Sequence, residues 1–489
     1  MRKTVSVLLV ILLLSILSSS MQLKIVVSAS SDVIYVPRDF PTIQKAIDNA
    51  TLGGTIIVNG TYHEDIMINK SLSLFGVDSY SAEIQGMSRY VVSIAADNVH
   101  IKNFTITKTT TDLDGIGIRI YSGNNNTIEN NKITNINTGI FLSLSNNNTI
   151  SRNFISNRLN VDNGISLYRS RNNFFSDNVI LNNTIGVLVS TLSNDNVFSG
   201  NIFINNSPEV NLDSSSNNVF YHNNFNGSVQ MTNGFSNYWS ASNEGNYWGS
   251  YIVSDSNNDG IGDQPYTIDQ YNQDSFPLMG RFSGYTAILK GKNYGIAVIS
   301  NSSIKDFSFD IGEETGNKIV TFNVSNEGDA IGFCRIMIPT ELMSSPYVVL
   351  VSGEEIVPSL LSFSNETVAV LYFTYVDGNQ TISVISSKTL YLYYDLLDKY
   401  VALQASFSDL NVSYCQLLNN YSLLLYSYTQ LQNQYSVLNM SYQEHLLGYS
   451  RNVENMQNLV YVFASTTAIF LMTTVYLSKR TTPRNRSRD

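Results

Sequence analysis

The chain has 489 residues, 14% of them charged and 43% apolar, with 30 tyrosines and only two cysteines. Low charge with ample apolar content excludes a disordered chain, and two cysteines, Cys334 and Cys415, exclude a disulfide framework. Eight of the 29 basic residues lie in the first 29 and last eleven positions, which leaves 21 against 38 acidic groups between them. So acidic a surface repels phosphate backbones and excludes nucleic acid as a partner.

Residues 1–29 open with Arg2 and Lys3, continue through an apolar run from Val5 to Leu17 and end in Val27-Ser28-Ala29. This is the pattern of a secretory signal peptide. Next, Pro41 precedes Ile43, Ala46, Ile47 and Ala50, which fall on one helical face. A short amphipathic helix there is expected to cover the open apolar end of a repeat array.

The repeat follows. Ile128, Ile150, Phe175, Phe198 and Phe220 recur at spacings of 22, 25, 23 and 22. Two residues before each stands Asn126, Asn148, Asn173, Asn196 or Asn218, and three residues after each stands Asn131, Asn153, Asn178, Asn201 or Asn223. A second apolar column is Ile133, Ile155, Ile180, Phe203 and Phe225, and a third short strand follows several copies, as at Gly139-Ile-Phe-Leu. Three strands and three turns in so short a period make one rung of a coil, stacked on the next at about 4.8 Å. Apolar residues then stack inside, and the asparagines stack and hydrogen-bond along the array.

These rungs, the opening Ile34-Tyr-Val-Pro and Thr42-Ile-Gln-Lys-Ala-Ile47, the Gly60-Thr-Tyr-His-Glu64 step and the closing Gly245-Asn-Tyr-Trp-Gly249 and Asp259-Gly-Ile-Gly-Asp-Gln-Pro-Tyr266 carry a resemblance. Residues 33–280 resemble the pectin-lyase-type superfamily, and more narrowly the NosD-like, carbohydrate-binding and sugar-hydrolysis repeat proteins of archaeal surfaces. The resemblance implies a right-handed parallel β-helix. It leaves activity open, because this fold carries lyases, hydrolases, epimerases, adhesins and metal-handling proteins.

Relatives that cut polyuronides use clustered aspartates and a basic residue. Here Asp112 and Asp114, in a Thr-rich insertion, are the nearest equivalent, with Arg119, His63 and His100 close in sequence. A glycosidase pair stands about 5–10 Å apart, which this spacing permits. The copper handling implied by the NosD-like name needs soft or imidazole ligands. The four histidines (His63, His100, His222, His445) form no such cluster in sequence. Asp255, Asn257 and Asp259 alternate before Gly260, and the Ile261 carbonyl and Asp263 extend the set. This matches the first half of a calcium loop, so a structural Ca²⁺ is expected there, although Tyr266 replaces the usual glutamate and Asp269 or Asp274 would have to help. Trp239 and Trp248 either stack on sugar or cap the last coil.

Residues 284–387 alternate apolar and polar between Gly-, Asn- and Pro-containing turns and predict a small β-sandwich. In 390–456, aromatics recur every seven residues from Tyr400 to Tyr449, with Leu403, Leu410, Leu417, Leu424, Leu431 and Leu438 three residues on. This heptad predicts a coiled coil about 90 Å long, and hence a homo-oligomer. Residues 459–477 are uncharged and long enough to cross a bilayer. The basic tail 478–489 places itself in the cytoplasm and the rest outside. Asn-x-Ser/Thr triplets such as Asn59, Asn103 and Asn365 permit glycan attachment.

The sequence thus reads as a mainly β, single-pass cell-surface protein that binds carbohydrate or envelope proteins without catalysis. One alternative is a polysaccharide lyase or glycoside hydrolase; another is a metal-handling accessory protein.

Overall fold

The computed structural model describes residues 33–109, 114–156, 163–233, 235–325, 331–376 and 378–480. The signal segment, Asp112 and the tail beyond Arg480 lie outside them. The chain divides into two compact units, Met1–Tyr391 and Leu392–Asp489.

The first unit begins as a parallel β-helix of three sheets with nine, nine and eight strands. The first sheet runs from Val33–Val36 to Val219–Tyr221, the second from Gly60–Tyr62 to Tyr247–Trp248, and the third from Ile66–Ile68 to Val229–Thr232. Most strands of the first two sheets have three or four residues, such as Thr127–Glu129, where Ile128 points inward and its neighbours outward. Register stacks like on like. Ile101, Ile128, Ile150, Phe175, Phe198 and Phe220 form one inner column. Ile106, Ile133, Ile155, Ile180, Phe203, Phe225 and Trp248 form another. Strand spacing sets the ring spacing: centroids of Phe175, Phe198, Phe220 and Trp239 follow at 4.6, 4.6 and 4.5 Å.

The repeated asparagines serve two physical needs. In each inner column the Oδ1 of one asparagine accepts the backbone N–H of the asparagine one rung earlier, and from Asn131 and Asn148 to Asn218 and Asn223 it accepts the Nδ2 as well. Asn148 donates these to Asn173 at 2.9 and 3.0 Å, and Asn178 donates them to Asn201 at 3.1 and 2.9 Å. Buried turn amides are thereby satisfied. From Asn126 to Asn223 the residue just before each ladder asparagine has positive φ, as at Asn125 (56°), Asn147 (57°), Asn130 (53°), Arg152 (54°) and His222 (59°). Asparagine tolerates that backbone best among side-chain-bearing residues, hence the recurring Asn-Asn pairs. The two bulky exceptions are anchored by carboxylates: Arg152 by Glu129 at 2.6 Å and His222 by Glu244 at 2.5 Å.

Both ends of the stack are closed. Helix α1 (Ile43–Asn49) buries Ile43, Ala46 and Ile47 on the N-terminal rung, as expected. Its first amides, Ile43 and Gln44, donate to Glu64 at 2.7 and 3.1 Å. At the other end one ladder reaches Asn272, which accepts from Asn237 N and Trp239 Nε1 at 2.9 and 3.3 Å. The other reaches Asp274, which accepts from Asn246 N and Trp248 Nε1 at 2.7 and 2.9 Å. The tryptophans are 1% and 2% exposed. They cap the last coil and offer no face to a sugar.

Two five-stranded antiparallel sheets follow, between Arg281–Leu289 and Gln380–Ser386. Their facing residues, Ile296, Val298, Ile336 and Ile338 from one and Val320, Phe322, Val349 and Val384 from the other, share one core, which makes a sandwich. Cys334 lies in that core, where burial pushes its thiol far up. The sandwich is fastened to the β-helix. Asn224 exchanges two 2.8 Å hydrogen bonds with the Phe282 backbone, and His222 stacks on Phe282 at 4.1 Å. The fully buried Arg335 pairs with Glu244.

The second unit is almost wholly one helix. Helix α2 (Lys388–Arg480) has 93 residues, about 140 Å at 1.5 Å per residue. The sequence suggests separate segments at 390–456 and 459–477; the structure joins them without a break. By length and composition this helix can cross a membrane.

Candidate functional site

The third sheet has the longest strands of the β-helix and so its widest outward face. From Ile116–Tyr121 to Ile185–Ser190 its strands have six residues each. Register lines up two outward columns there. One runs Met67, Ser93, Arg119, Phe141, Ser166, Leu188. The other runs Tyr121, Ser143, Tyr168, Ser190, Asp213. Large and small residues alternate along the second column, so Tyr121 and Tyr168 project two rungs apart, about 10 Å.

Arg119 stands at the centre. Its guanidinium lies 4.6 Å from the Tyr90 ring centre and 4.5 Å from that of Tyr121. Two ring faces hold it by cation–π attraction. No carboxylate pairs with it among the described residues, and its Nε has no hydrogen-bond partner. Arg89, 5.4 Å from the Tyr90 ring centre, extends the basic character.

Of the sequence candidates, Asp114 and Arg119 come to this sheet, and Asp112 lies outside the described residues. Asp114 is 60% exposed and flanked by Arg89 at 3.8 Å and Lys108 at 3.9 Å. Its charged partners are therefore cations, and the described face brings no second carboxylate to it. Sequence proximity misplaces His100. It lies on the first sheet, where its Nε2 is 3.0 Å from Glu129, which Arg152 also holds. Burial pushes the Glu129 carboxyl up, but the hydrogen bonds from Arg152 and His100 outweigh it and leave the group below its ordinary value. The sequence reading missed Tyr90, whose contact with Arg119 depends on register across a coil.

The proposed calcium loop is closed by its own donors. Both Asp255 oxygens accept backbone N–H groups, of Asp259 at 3.0 Å and Gly260 at 2.8 Å. Asp259 accepts from Ile261 N at 2.8 Å and Asn257 Nδ2 at 3.0 Å. Asp263 accepts from Ser254, and from the amide and hydroxyl of Ser256. Asp269 and Asp274 are engaged elsewhere, with Asn272 and with Asn246 and Trp248. Among the described residues no group of three or more His, Cys, Asp or Glu stands close enough to hold a metal ion. This donor set fits a self-satisfied Asx turn better than a cation site. The expected result is an unchanged melting temperature on adding a chelator or millimolar Ca²⁺, measured by differential scanning calorimetry; a rise with Ca²⁺ would restore the metal reading.

Residues 90–247 match the family model described as right handed beta helix region. No curated protein matches the chain. Among solved structures it is similar to pectin methylesterase PemA from Erwinia chrysanthemi (14% identity, 46% of this chain and 90% of that one, TM-score 0.31). It is also similar to a pectin methylesterase from carrot (11%, 47% and 90%, TM-score 0.31). A third is tailspike protein gp49 from Acinetobacter baumannii bacteriophage Fri1, a capsular polysaccharide depolymerase (11%, 73% and 85%, TM-score 0.30). These likenesses bring no activity to this chain. That match is confined to residues 90–247, the face around Arg119 among them, and the strand order of those residues is that of a parallel β-helix.

Proposed function

We propose that this chain is a membrane-tethered surface protein whose third β-sheet binds polysaccharide without cleaving it. The observation that carries the reading is Arg119, clamped between Tyr90 and Tyr121 with no carboxylate partner among the described residues. An aromatic face stacks on the apolar face of a sugar ring, and a positioned guanidinium donates to its oxygens. Tyr168, two rungs on, offers a second platform in line with Tyr121. Asp114 is matched by cations, and Asp213 stands at the far end of the Tyr121 column, which supports binding over acid–base chemistry. The uncharged run 459–477 followed by Lys479 and Arg480 supports one membrane crossing with the β-helix outside.

The test is a glycan array followed by titration calorimetry and a reducing-end assay on the same polysaccharides. Arg119→Ala and Tyr121→Ala are each expected to weaken binding about tenfold or more, roughly the value of one cation–π or stacking contact. Stability should stay within about 0.5 kcal/mol, as for other surface changes. Unchanged affinity in both variants would refute the site, and release of new chain ends by the wild type would make the protein a depolymerase.

A further inference from the structure

We propose that helix α2 is one strand of a parallel homo-oligomer whose seam continues in phase from the extracytoplasmic stem through the membrane span. The inference rests on the membrane reading above for its last third. The unbroken helix is what makes the phase countable. Position a is Tyr393, Tyr400, Phe407, and so on at every seventh residue to Tyr449, then Met456, Phe463, Phe470 and Leu477. Position d runs from Leu396 through Leu438 as leucine, then His445, Asn452, Leu459, Thr466 and Thr473. The heptad expected for the stem therefore does not stop at the bilayer.

From Phe407 to Leu477 the charged residues avoid the seam. Asp409, Glu444 and Arg451 fall at c and Glu454 at f, on the side opposite the seam. The a and d side chains are left exposed by the single chain, as with Tyr428, 60% exposed, and Leu431, 62% exposed. A flat surface cannot cover this stripe. A strict seven-residue repeat drifts by about 20° per heptad around a straight helix, so only a helix wound about it stays in contact. The occupant is a second copy. Copies anchored through the same span share one direction and one depth, which aligns each a and d layer with itself. Apart from Lys399 at g, which pairs with Asp395 of its own helix at 2.8 Å, the e and g positions carry Gln404, Ser406, Asn411, Ser413 and similar uncharged residues, so nothing from Phe407 onward selects a different partner or repels an identical one.

His445 and Asn452 interrupt the leucine column in the two heptads just before the span. Polar residues at seam positions trade stability for a fixed register and strand number. Their placement sets the register where stem meets membrane, and Thr466 and Thr473 then let the helices approach within it.

The experiment is disulfide trapping in the full-length protein, in native membranes, on a Cys415→Ser background. Cys334 is buried and stays silent. Leu431→Cys, Leu459→Cys and Thr473→Cys, all at d, are expected to give interchain disulfides; Ser436→Cys, Ala464→Cys and Val475→Cys, on the outer face, are expected to give only background. Equal bonding on both faces, or none at d, overturns the proposal, and bonding at Leu431→Cys alone overturns its continuity into the membrane. A monomeric mass for the wild type in mild detergent overturns it as well. Recovery of the wild type in the soluble fraction of disrupted cells is a separate outcome that defeats the membrane reading and, with it, the in-membrane half of the seam. The His445→Leu/Asn452→Leu double variant is expected to assemble with more than one mass; a single unchanged mass removes the register role.

Discussion

Asp274→Ala is expected to lower the unfolding free energy by about 4 kcal/mol, the sum of several buried donors left without an acceptor. Asp274 is fully buried and receives the amides of Asn246 and Phe276 and the indole N–H of Trp248. Burial pushes its carboxyl up to about 6, against these donors, which pull it down. An asparagine ladder in which every member donates toward the C-terminal end needs a last member that only accepts, and an ionised carboxylate does so. Asp274→Asn keeps one accepting oxygen and is expected to lose less than half as much. Chemical denaturation monitored by tryptophan fluorescence reports directly, because Trp248 is itself one of the donors. A loss below about 1 kcal/mol for the alanine variant would mean that water enters and replaces the carboxylate.

The second large effect is a pH dependence from Glu209. This side chain is 0% exposed. One oxygen accepts from Asn206 Nδ2 at 2.6 Å, and the other has no hydrogen-bond partner. Burial, only partly offset by Asn206 and the nearby Gly227 backbone dipole, pushes its carboxyl from 4.5 up to about 7. Between those two values the folded chain keeps a proton that the unfolded chain has lost. The contribution is complete below pH 4.5 and is lost as pH rises through about 7, with a span of about 3 kcal/mol. Glu209→Gln, which cannot ionise, is expected to remove that slope and to be the more stable protein at pH 8.5. Parallel stability–pH curves for the two proteins would show that Glu209 ionises freely in the fold.

Much of this fold is legible in the sequence because a solenoid converts repetition directly into contact. The inner columns of Ile128 and Ile133, both asparagine columns and helix α1 occupy their expected places. The end of the coil is less legible. There the ladders continue through Asn237, Asn272 and Asp274 at intervals of 19, 35 and 28 residues that abandon the repeat. The Asp255–Asp263 loop has ligand spacing, yet a loop of aspartates also satisfies its own amides, and one-dimensional spacing does not separate the two. The candidate face was half legible. Arg119 was visible as a basic residue, but Tyr90 comes beside it only through the pairing of Ile118 with Val92. Likewise Arg335 and Glu244, 91 residues apart, meet only because the sandwich docks on the coil.

The one-way run of the ladders bears on how such a protein lengthens in evolution. Each inner rung offers the next the same amide and receives the same oxygen from it, as Asn173 does between Asn148 and Asn196. A tandem copy of one rung therefore inserts with its donors and acceptors already matched, whichever internal rung is copied. Helix α1 and the 269–276 segment need not change, since each meets only the rung beside it. The reach of the face around Arg119 can thus grow by gene duplication in steps of one strand spacing, while Asn272 and Asp274 remain the fixed terminus of every longer form.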